Sequence, residues 1–262
     1  MIPGKQIRTN AIFRKEDKRA VIVAIDHAGI AGPIKGIVKP APVIEACVKG
    51  GADAILTTRG FVKASIEEWD RSIALILRLT GGFTTLGGKF IDELISTPET
   101  ALLFGASAAA ATVKFGHENE GKFIKQVSYV ADSCERWGMP LMIEAVAKGK
   151  NMPPTDPEGV KLASRAAQEL GADIVKTYYT ADPDSFRQVV EGCPVPIVIL
   201  GGERTESMKA VFQDVYDALQ AGAAGIAIGR NIWQHDNTKA VVEAMVGIVH
   251  EGYTVEQAMH NL

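Results

Sequence analysis

The sequence predicts a single (β/α)8 barrel of the TIM type over residues 1–262, and three observations carry that expectation. Eight short apolar runs punctuate the chain, segments of helical period separate them, and a Gly–Ala string recurs where helix gives way to strand. A length of 262 residues is about what one such barrel needs. Length alone also permits two smaller domains, so the pattern decides.

The apolar runs are Ala20–Ile25, Ala54–Thr57, Ile73–Leu79, Ala108–Val113, Pro140–Val146, Ile174–Thr177, Val195–Leu200 and Gly225–Ile228. Most are bounded by Gly or Pro, and their continuous apolarity suits parallel strands covered on both faces. Three helix starts are explicit: Thr97-Pro98-Glu99, Asp156-Pro157-Glu158 and Asp182-Pro183-Asp184 each read as N-cap, proline, then an acid at the positive helix end. Within Glu120–Trp137, the residues Phe123, Val127, Val130, Ala131, Cys134 and Trp137 recur at helical spacing and predict one inward stripe. The strings GGADAIL (50–56), FGASAAA (104–110), LGADIVK (170–176) and AGAAGIAIG (221–229) form a weak repeat that ends a helix on Gly and begins a strand. An open doubly wound sheet is the runner-up, but it would usually carry GxGxxG after its first strand, and none is present. The segment Asp26–Pro40 is glycine-rich and long for a strand-to-helix connection, which predicts a mobile lid.

Composition excludes several classes of function. A formal net charge of −3 gives no ground for a nucleic-acid partner. No stretch approaches the roughly 20 apolar residues of a membrane span. The N-terminal segment is polar and of mixed charge, unlike a secretory signal. Cys47, Cys134 and Cys193 are far apart and free of CxxC spacing, so they read as buried thiols in a reducing compartment, the cytoplasm.

In a barrel the active site lies at the C-terminal ends of the strands, so charged residues closing apolar runs are the candidates. Four satisfy this: Asp26 closes AVIVAID, Lys114 closes AAAATVK, Glu144 interrupts PLMIEAV and Lys176 closes ADIVK. An unpaired buried ion costs several kcal/mol, so each is paired, functional or at a wet rim. Lys176 suits the nucleophile of a Schiff-base aldolase, which needs a neutral amine aimed at a ketone; desolvation and a second cation, for which Lys114 is the candidate, favour that form. The bland reading has Lys176 snorkelling to an acid at the surface. Asp26 reads as a proton carrier at substrate hydroxyls, as a holder of Lys176, or as a plain N-cap. Glu144 reads as a proton carrier or as one half of a structural pair with Lys114. ILGGER (199–204) and IAIGRN (226–231) set Gly201, Gly202 and Gly229 directly after strands seven and eight, with Arg230 next. Free backbone N–H groups at those strands are a common phosphate site in barrels, and Arg230 adds a fork of donors. Tight turns are the simpler explanation of the glycines.

With these residues in place, the sequence resembles the archaeal-type class I fructose-bisphosphate aldolases, a family that includes aminodideoxyheptulosonate synthases and an autoinducer-processing thiolase. The likeness runs over nearly the whole chain and is densest in CERWGMPLMIE, LGADIVKTYYTADPDSFRQVV, CPVPIVILGG and AGAAGIAIGRNIWQHD. It implies Lys176 as the Schiff-base lysine, Asp26 (in IDHAG) as the acid on the first strand, and Gly201, Gly202, Gly229 and Arg230 as phosphate ligands. It further implies a phosphorylated sugar substrate, a homo-oligomer, and no cofactor or metal.

One departure matters. The family's aldolases and heptulosonate synthases carry a catalytic tyrosine late in strand five, within Tyr-Pro-Arg-Gly; here the stretch reads AVAKGK and Val146 takes the tyrosine's place. Valine carries no transferable proton, so either Glu144, two residues earlier on the same strand face, serves the acid/base step, or the substrate differs from fructose bisphosphate. The thiolase branch also lacks that tyrosine, which keeps open a transaldolase- or thiolase-type enzyme on another phosphosugar. A silent phosphosugar-binding protein is the alternative from a different class. A metal-dependent aldolase would want convergent His and carboxylate ligands, and His27, His117, His235, His250 and His260 show no ligand spacing.

Overall fold

The computed structural model describes residues 2–87, 90–205 and 207–262. Eight strands close into a parallel barrel in chain order: β1 (Ala20–Ile25), β2 (Ala54–Thr57), β3 (Ala74–Arg78), β4 (Ala108–Phe115), β5 (Leu141–Ala147), β6 (Ile174–Tyr178), β7 (Ile197–Leu200) and β8 (Gly225–Ile228). The expected (β/α)8 architecture is therefore present. Strands β1, β2 and β8 have the bounds their apolar runs predict. β4 runs two residues further than Val113, so Lys114 lies inside a strand rather than beyond its end. β3 ends on Arg78, one residue before the predicted boundary. A separate two-residue ribbon pairs Thr80–Gly81 with Glu93–Leu94 at the barrel mouth.

Alternation along each strand divides the apolar residues between two regions. Ala20, Ile22, Ala24, Leu56, Ile76, Ala108, Ala110, Met142, Ile174 and Val198 fill the barrel interior. Val21, Val23, Ile55, Leu75, Ile143 and Val175 pack outward under the helices. Both faces are buried, which is why the runs are continuously apolar. Many interior positions are Ala because eight strands enclose a narrow space that side chains must fill without overpacking.

The N-terminal helix Pro3–Ile12 has a role its polar composition does not announce. Its end drives Ile12 and Phe13 into the interior cluster, closing the bottom of the barrel. Ion pairs hold it there: Lys5 to Asp173 at 2.8 Å and Arg14 to Asp53 at 2.7 Å. Asp53 also accepts from the Val21 amide, and His250 lies between Asp17 and Asp53. The bottom face is thus a plug with its own charge network.

The three predicted helix starts cap as expected. Thr97 accepts from the Thr100 amide, Asp156 from Gly159 and Asp182 from Ser185. In the helix Glu120–Trp137, Phe123, Val127, Val130 and Cys134 are buried. Trp137 departs from that stripe: it is 47% exposed, and its indole N–H donates to Glu99 at 2.8 Å. The three cysteines are free and buried. Among the described residues no helix is long and apolar enough to cross a membrane.

The segment expected to be a lid carries ties. It contains a short helix, Ala28–Ala31, the Ile30 carbonyl accepts from the Thr85 amide, and Lys35 pairs with Asp236 at 2.7 Å.

The plug generates a stability prediction. Ile12→Ala should lower unfolding free energy by about 2–5 kcal/mol, the range for a large aliphatic lost from a core. Urea titration at neutral pH checks it, and a loss under about 1 kcal/mol would show the plug to be peripheral.

Candidate active site

The inward row that fills the barrel continues upward as polar residues. Two positions beyond Ala24 stands Asp26, beyond Ile76 Arg78, beyond Ala110 Thr112, beyond Met142 Glu144 and beyond Ile174 Lys176. The parity that buries the apolar residues below therefore aims these side chains into the mouth. The ladder sets Thr112 opposite Glu144 and Glu144 opposite Lys176. Lys176 donates from Nζ to Glu144 Oε2 at 3.2 Å. The Arg78 guanidinium joins the rest: Nε and a terminal nitrogen donate to Asp26 Oδ2 at 2.8 and 2.6 Å, the same terminal nitrogen to Glu144, and the other to Thr112 Oγ1 at 2.8 Å.

Burial opposes ionisation of both acids, and their cations overcome it. At Asp26 the Arg78 guanidinium, aided by His27 and Lys176, holds the carboxyl well below the usual carboxylate range. At Glu144 the Lys176 and Arg78 charges outweigh both burial and the repulsion from Asp26, holding its carboxyl at about 2. Arg78, though buried, is pushed further toward its charged form by the same two carboxylates. His27 Nδ1 lies 3.3 Å from the other Asp26 oxygen.

Lys114 is not part of this set, which corrects two expectations. It stands opposite Val146, one inward position above Thr112 and Glu144. From there its Nζ donates to the Phe90 carbonyl at 2.6 Å, lies 2.8 Å from Asp92 Oδ2, and sits 5.1 Å from the centre of the Phe83 ring. Lys114 tethers the loop that follows β3. Glu144 forms its ion pairs with Arg78 and Lys176 instead, so the structural Glu144–Lys114 pair does not form, and the cation that adjoins Glu144 besides Lys176 is Arg78.

The predicted phosphate residues come together after β7 and β8, between the strands that lead to Lys176 and to Asp26. Arg230 donates to the Gly202 carbonyl at 2.8 Å, while its Nε–H is buried with no acceptor among the described residues. Asn231 donates to the Gly201 and Glu203 carbonyls and accepts from the Thr205 amide, welding the loops after β7 and β8 together. Gly229 is required by space: a Cβ there would stand 2.4 Å from the Ala24 carbonyl oxygen. Gly202 has φ +58°, which glycine adopts without strain. A cavity of about 310 Å³ starts here, lined by Tyr178, Gly201, Gly202 and Asn231, and runs outward between β7 and the helix Met208–Gln220. None of Asp26, Arg78, Glu144 and Lys176 lines it.

Sequence reasoning missed Arg78, Tyr178 and Asn231. Arg78 meets the criterion that selected the other charges, since it interrupts ALILRL, but it stood inside the predicted span Ile73–Leu79. Asn231 carries no signal beyond its place after Gly229 and Arg230.

A parallel barrel with a buried lysine in β6 paired to a carboxylate, next to the glycines that follow β7 and β8, places the chain among the aldolase barrels. More particularly, the chain belongs to the DeoC/LacD family of aldolases, whose family model matches residues 20–235. A 3-hydroxy-5-phosphonooxypentane-2,4-dione thiolase of Salmonella typhimurium is 33% identical over 259 residues, 97% of this chain and 85% of that protein. A 2-amino-4,5-dihydroxy-6-oxo-7-(phosphonooxy)heptanoate synthase of Streptomyces griseus is 30% identical over 252 residues, 96% of this chain and 92% of that one. Among solved structures, an archaeal fructose-1,6-bisphosphate aldolase whose catalytic lysine is bound to the carbinolamine intermediate superposes with a TM-score of 0.85. It is 30% identical, and the match covers 94% of this chain and 99% of that one.

The charge cluster yields a prediction with a definite sign. Both carboxyls have folded pKa values below their unfolded ones, so their stabilisation is complete above the ordinary glutamate value of 4.5 and fades as pH falls toward about 2. Arg78→Met removes the shared cation, so it should cost about 3–5 kcal/mol at pH 7. It should also move acid unfolding to higher pH. Urea titration at pH 7 and an acid titration followed by circular dichroism check both; an unchanged acid midpoint would show that Arg78 does not hold the acids ionised.

Proposed function

We propose that this protein is a Schiff-base aldolase acting on a phosphorylated ketose, with Lys176 as the nucleophile. The observation that carries the reading is the buried Lys176 amine, 3.2 Å from a carboxylate, at the end of the barrel where the substrate would enter. The archaeal aldolase whose lysine is captured as a carbinolamine supports it, and so do the thiolase and the synthase, each named for a compound that carries a phosphonooxy group.

Charge bookkeeping favours the step. An ammonium and a ketone give an iminium and water, with one positive charge on each side of the reaction. One proton must leave Nζ before attack, and Glu144 is within hydrogen-bond reach to carry it to the carbonyl oxygen, which departs as water. Once the iminium has formed, the Glu144 carboxylate faces a cation at the same place. Asp26, held ionised by Arg78, is available to order substrate hydroxyls. The phosphate belongs at Gly201, Gly202, Gly229 and Arg230, where the unpartnered Arg230 Nε–H offers a charge-assisted donor.

A second reading, acyl transfer of the thiolase kind through the same lysine, is favoured by one observation: Val146 stands where an aldolase tyrosine is expected. Both readings require a covalent adduct, whereas a silent sugar-binding protein forms none.

Borohydride reduction in the presence of phosphorylated ketoses or dihydroxyacetone phosphate, read by intact mass, should add one substrate mass to the wild-type chain. Lys176→Met and Lys176→Arg should abolish the adduct while the protein folds. An unchanged yield in either variant would remove Lys176 from the reaction. For the phosphate, Arg230→Ala should lower kcat/KM by about 10- to 150-fold, mainly through KM, as loss of a charged hydrogen bond predicts. Equal losses for phosphorylated and unphosphorylated substrates would refute the assignment.

A further inference from the structure

The aldolase reading leaves one group unassigned, the acid/base for the carbon–carbon step, because Val146 cannot supply it. We infer that the Tyr178 phenol is that catalytic group, placed on β6 at the height of the missing β5 tyrosine. The inference rests on the Schiff-base reading and deepens it.

Register carries the argument. Glu144 on β5 is opposite Lys176 on β6, and continuing that ladder by two residues sets Val146 opposite Tyr178. Tyr178 is in turn opposite Leu200 on β7. Parity gives Tyr178 the face of Lys176, so its side chain enters the mouth one layer above the amine. The ring reaches toward the anion pocket: a Cβ built on Gly202 would lie 3.8 Å from Tyr178 Cε1, and Tyr178 lines the cavity with Gly201 and Gly202. A phosphorylated ketose joined to Lys176 and anchored at those glycines must pass this ring. Tyr178 is half-buried, and its hydroxyl makes no hydrogen bond among the described residues, so the group is free to serve a ligand. Burial first, then the Glu144 and Glu203 charges, keep the phenol in its protonated form against the opposing pull of Arg230. Tyr179, the next residue, points the other way into the outer core and is buried against Phe186.

In the condensing direction the chemistry balances as follows. The enamine C=C pair attacks the aldehyde carbon and becomes the new C–C bond, and the nitrogen lone pair re-forms the iminium. The aldehyde C=O pair moves to oxygen, which takes the phenol proton. The proton released when the iminium became the enamine returns through solvent to the phenolate. Cleavage is the microscopic reverse.

The test uses the intact protein, fructose 1,6-bisphosphate as probe, borohydride reduction and intact mass. Wild type should trap a triose-length adduct, because cleavage precedes reduction. Tyr178→Phe should trap the uncleaved hexose adduct and cleave about 10²- to 10⁴-fold more slowly, the usual contribution of a general acid/base. Returning a phenol to β5, as Val146→Tyr in the Tyr178→Phe background, should restore the triose adduct; a merely structural role for Tyr178 would not be rescued this way. Triose adduct at the wild-type rate in Tyr178→Phe overturns the inference, and so does loss of all adduct in a folded variant. Absence of any adduct in wild type instead overturns the Schiff-base reading, while a wild type that traps only uncleaved hexose overturns the cleavage role assigned here. Should Tyr178→Phe melt early, replacement of Tyr178 by 3-fluorotyrosine decides. A rate profile displaced to lower pH supports the assignment, and an undisplaced one overturns it.

Discussion

The contact on which the mouth of this barrel depends is the Arg78 guanidinium, shared between Asp26 and Glu144. With Lys176 on Glu144 the rim holds a buried acid, a part-buried acid and two buried cations, a set that is neutral only when complete. Removing one charge from such a set leaves another uncompensated in low dielectric, which costs several kcal/mol. The arrangement therefore constrains chemistry as well as folding. A lysine that becomes an iminium keeps its positive charge, so the proposed capture of the ketone starts and ends with the set neutral. A substrate phosphate would upset that balance if it entered the row. The structure supplies a separate cation, Arg230, outside that row and tied to the Gly202 carbonyl.

Much of this was legible from local chemistry. Continuous apolar runs identified the strands because both faces of a parallel barrel are buried. Asp-Pro and Thr-Pro pairs located helix starts because an N-cap oxygen and a proline at the first turn are recognisable regardless of tertiary context. Lys176, Asp26 and Glu144 stood out because charges rarely end apolar strands without a purpose. The row they form follows from strand parity alone.

What stayed hidden depends on height within the barrel and on long-range pairing. Lys114 and Glu144 share parity, yet Lys114 sits a layer too high and reaches Asp92 instead. Arg78 was masked by a strand boundary set one residue too late. The plug formed by Ile12 and Phe13 is invisible in composition, since the helix before it is largely polar and only its end is buried. His250 finds Asp17 and Asp53 across more than 190 positions of chain, a pairing no local pattern announces. Trp137 matched the inward spacing but lies at the helix end, where Glu99 offers its indole a better partner than the core does.

The layers also bear on substrate choice. In the proposed reaction, nitrogen chemistry belongs to the lower layer, where Glu144, Lys176 and Arg78 meet; a proton carrier for the carbon skeleton belongs to the layer above, with Val146 and Tyr178. Moving a phenol from β5 to β6 shifts it sideways by about 4.8 Å, the spacing of neighbouring strands. That distance is a large part of the length of a sugar chain, while the lysine and the glycine–arginine pocket stay where they are. A sugar held at both fixed points would then meet the phenol from another side. Under the proposed reaction such a displacement would shift preference among the sugars that react without changing how the lysine captures them, which ties the absence of a β5 tyrosine to specificity rather than to loss of catalysis.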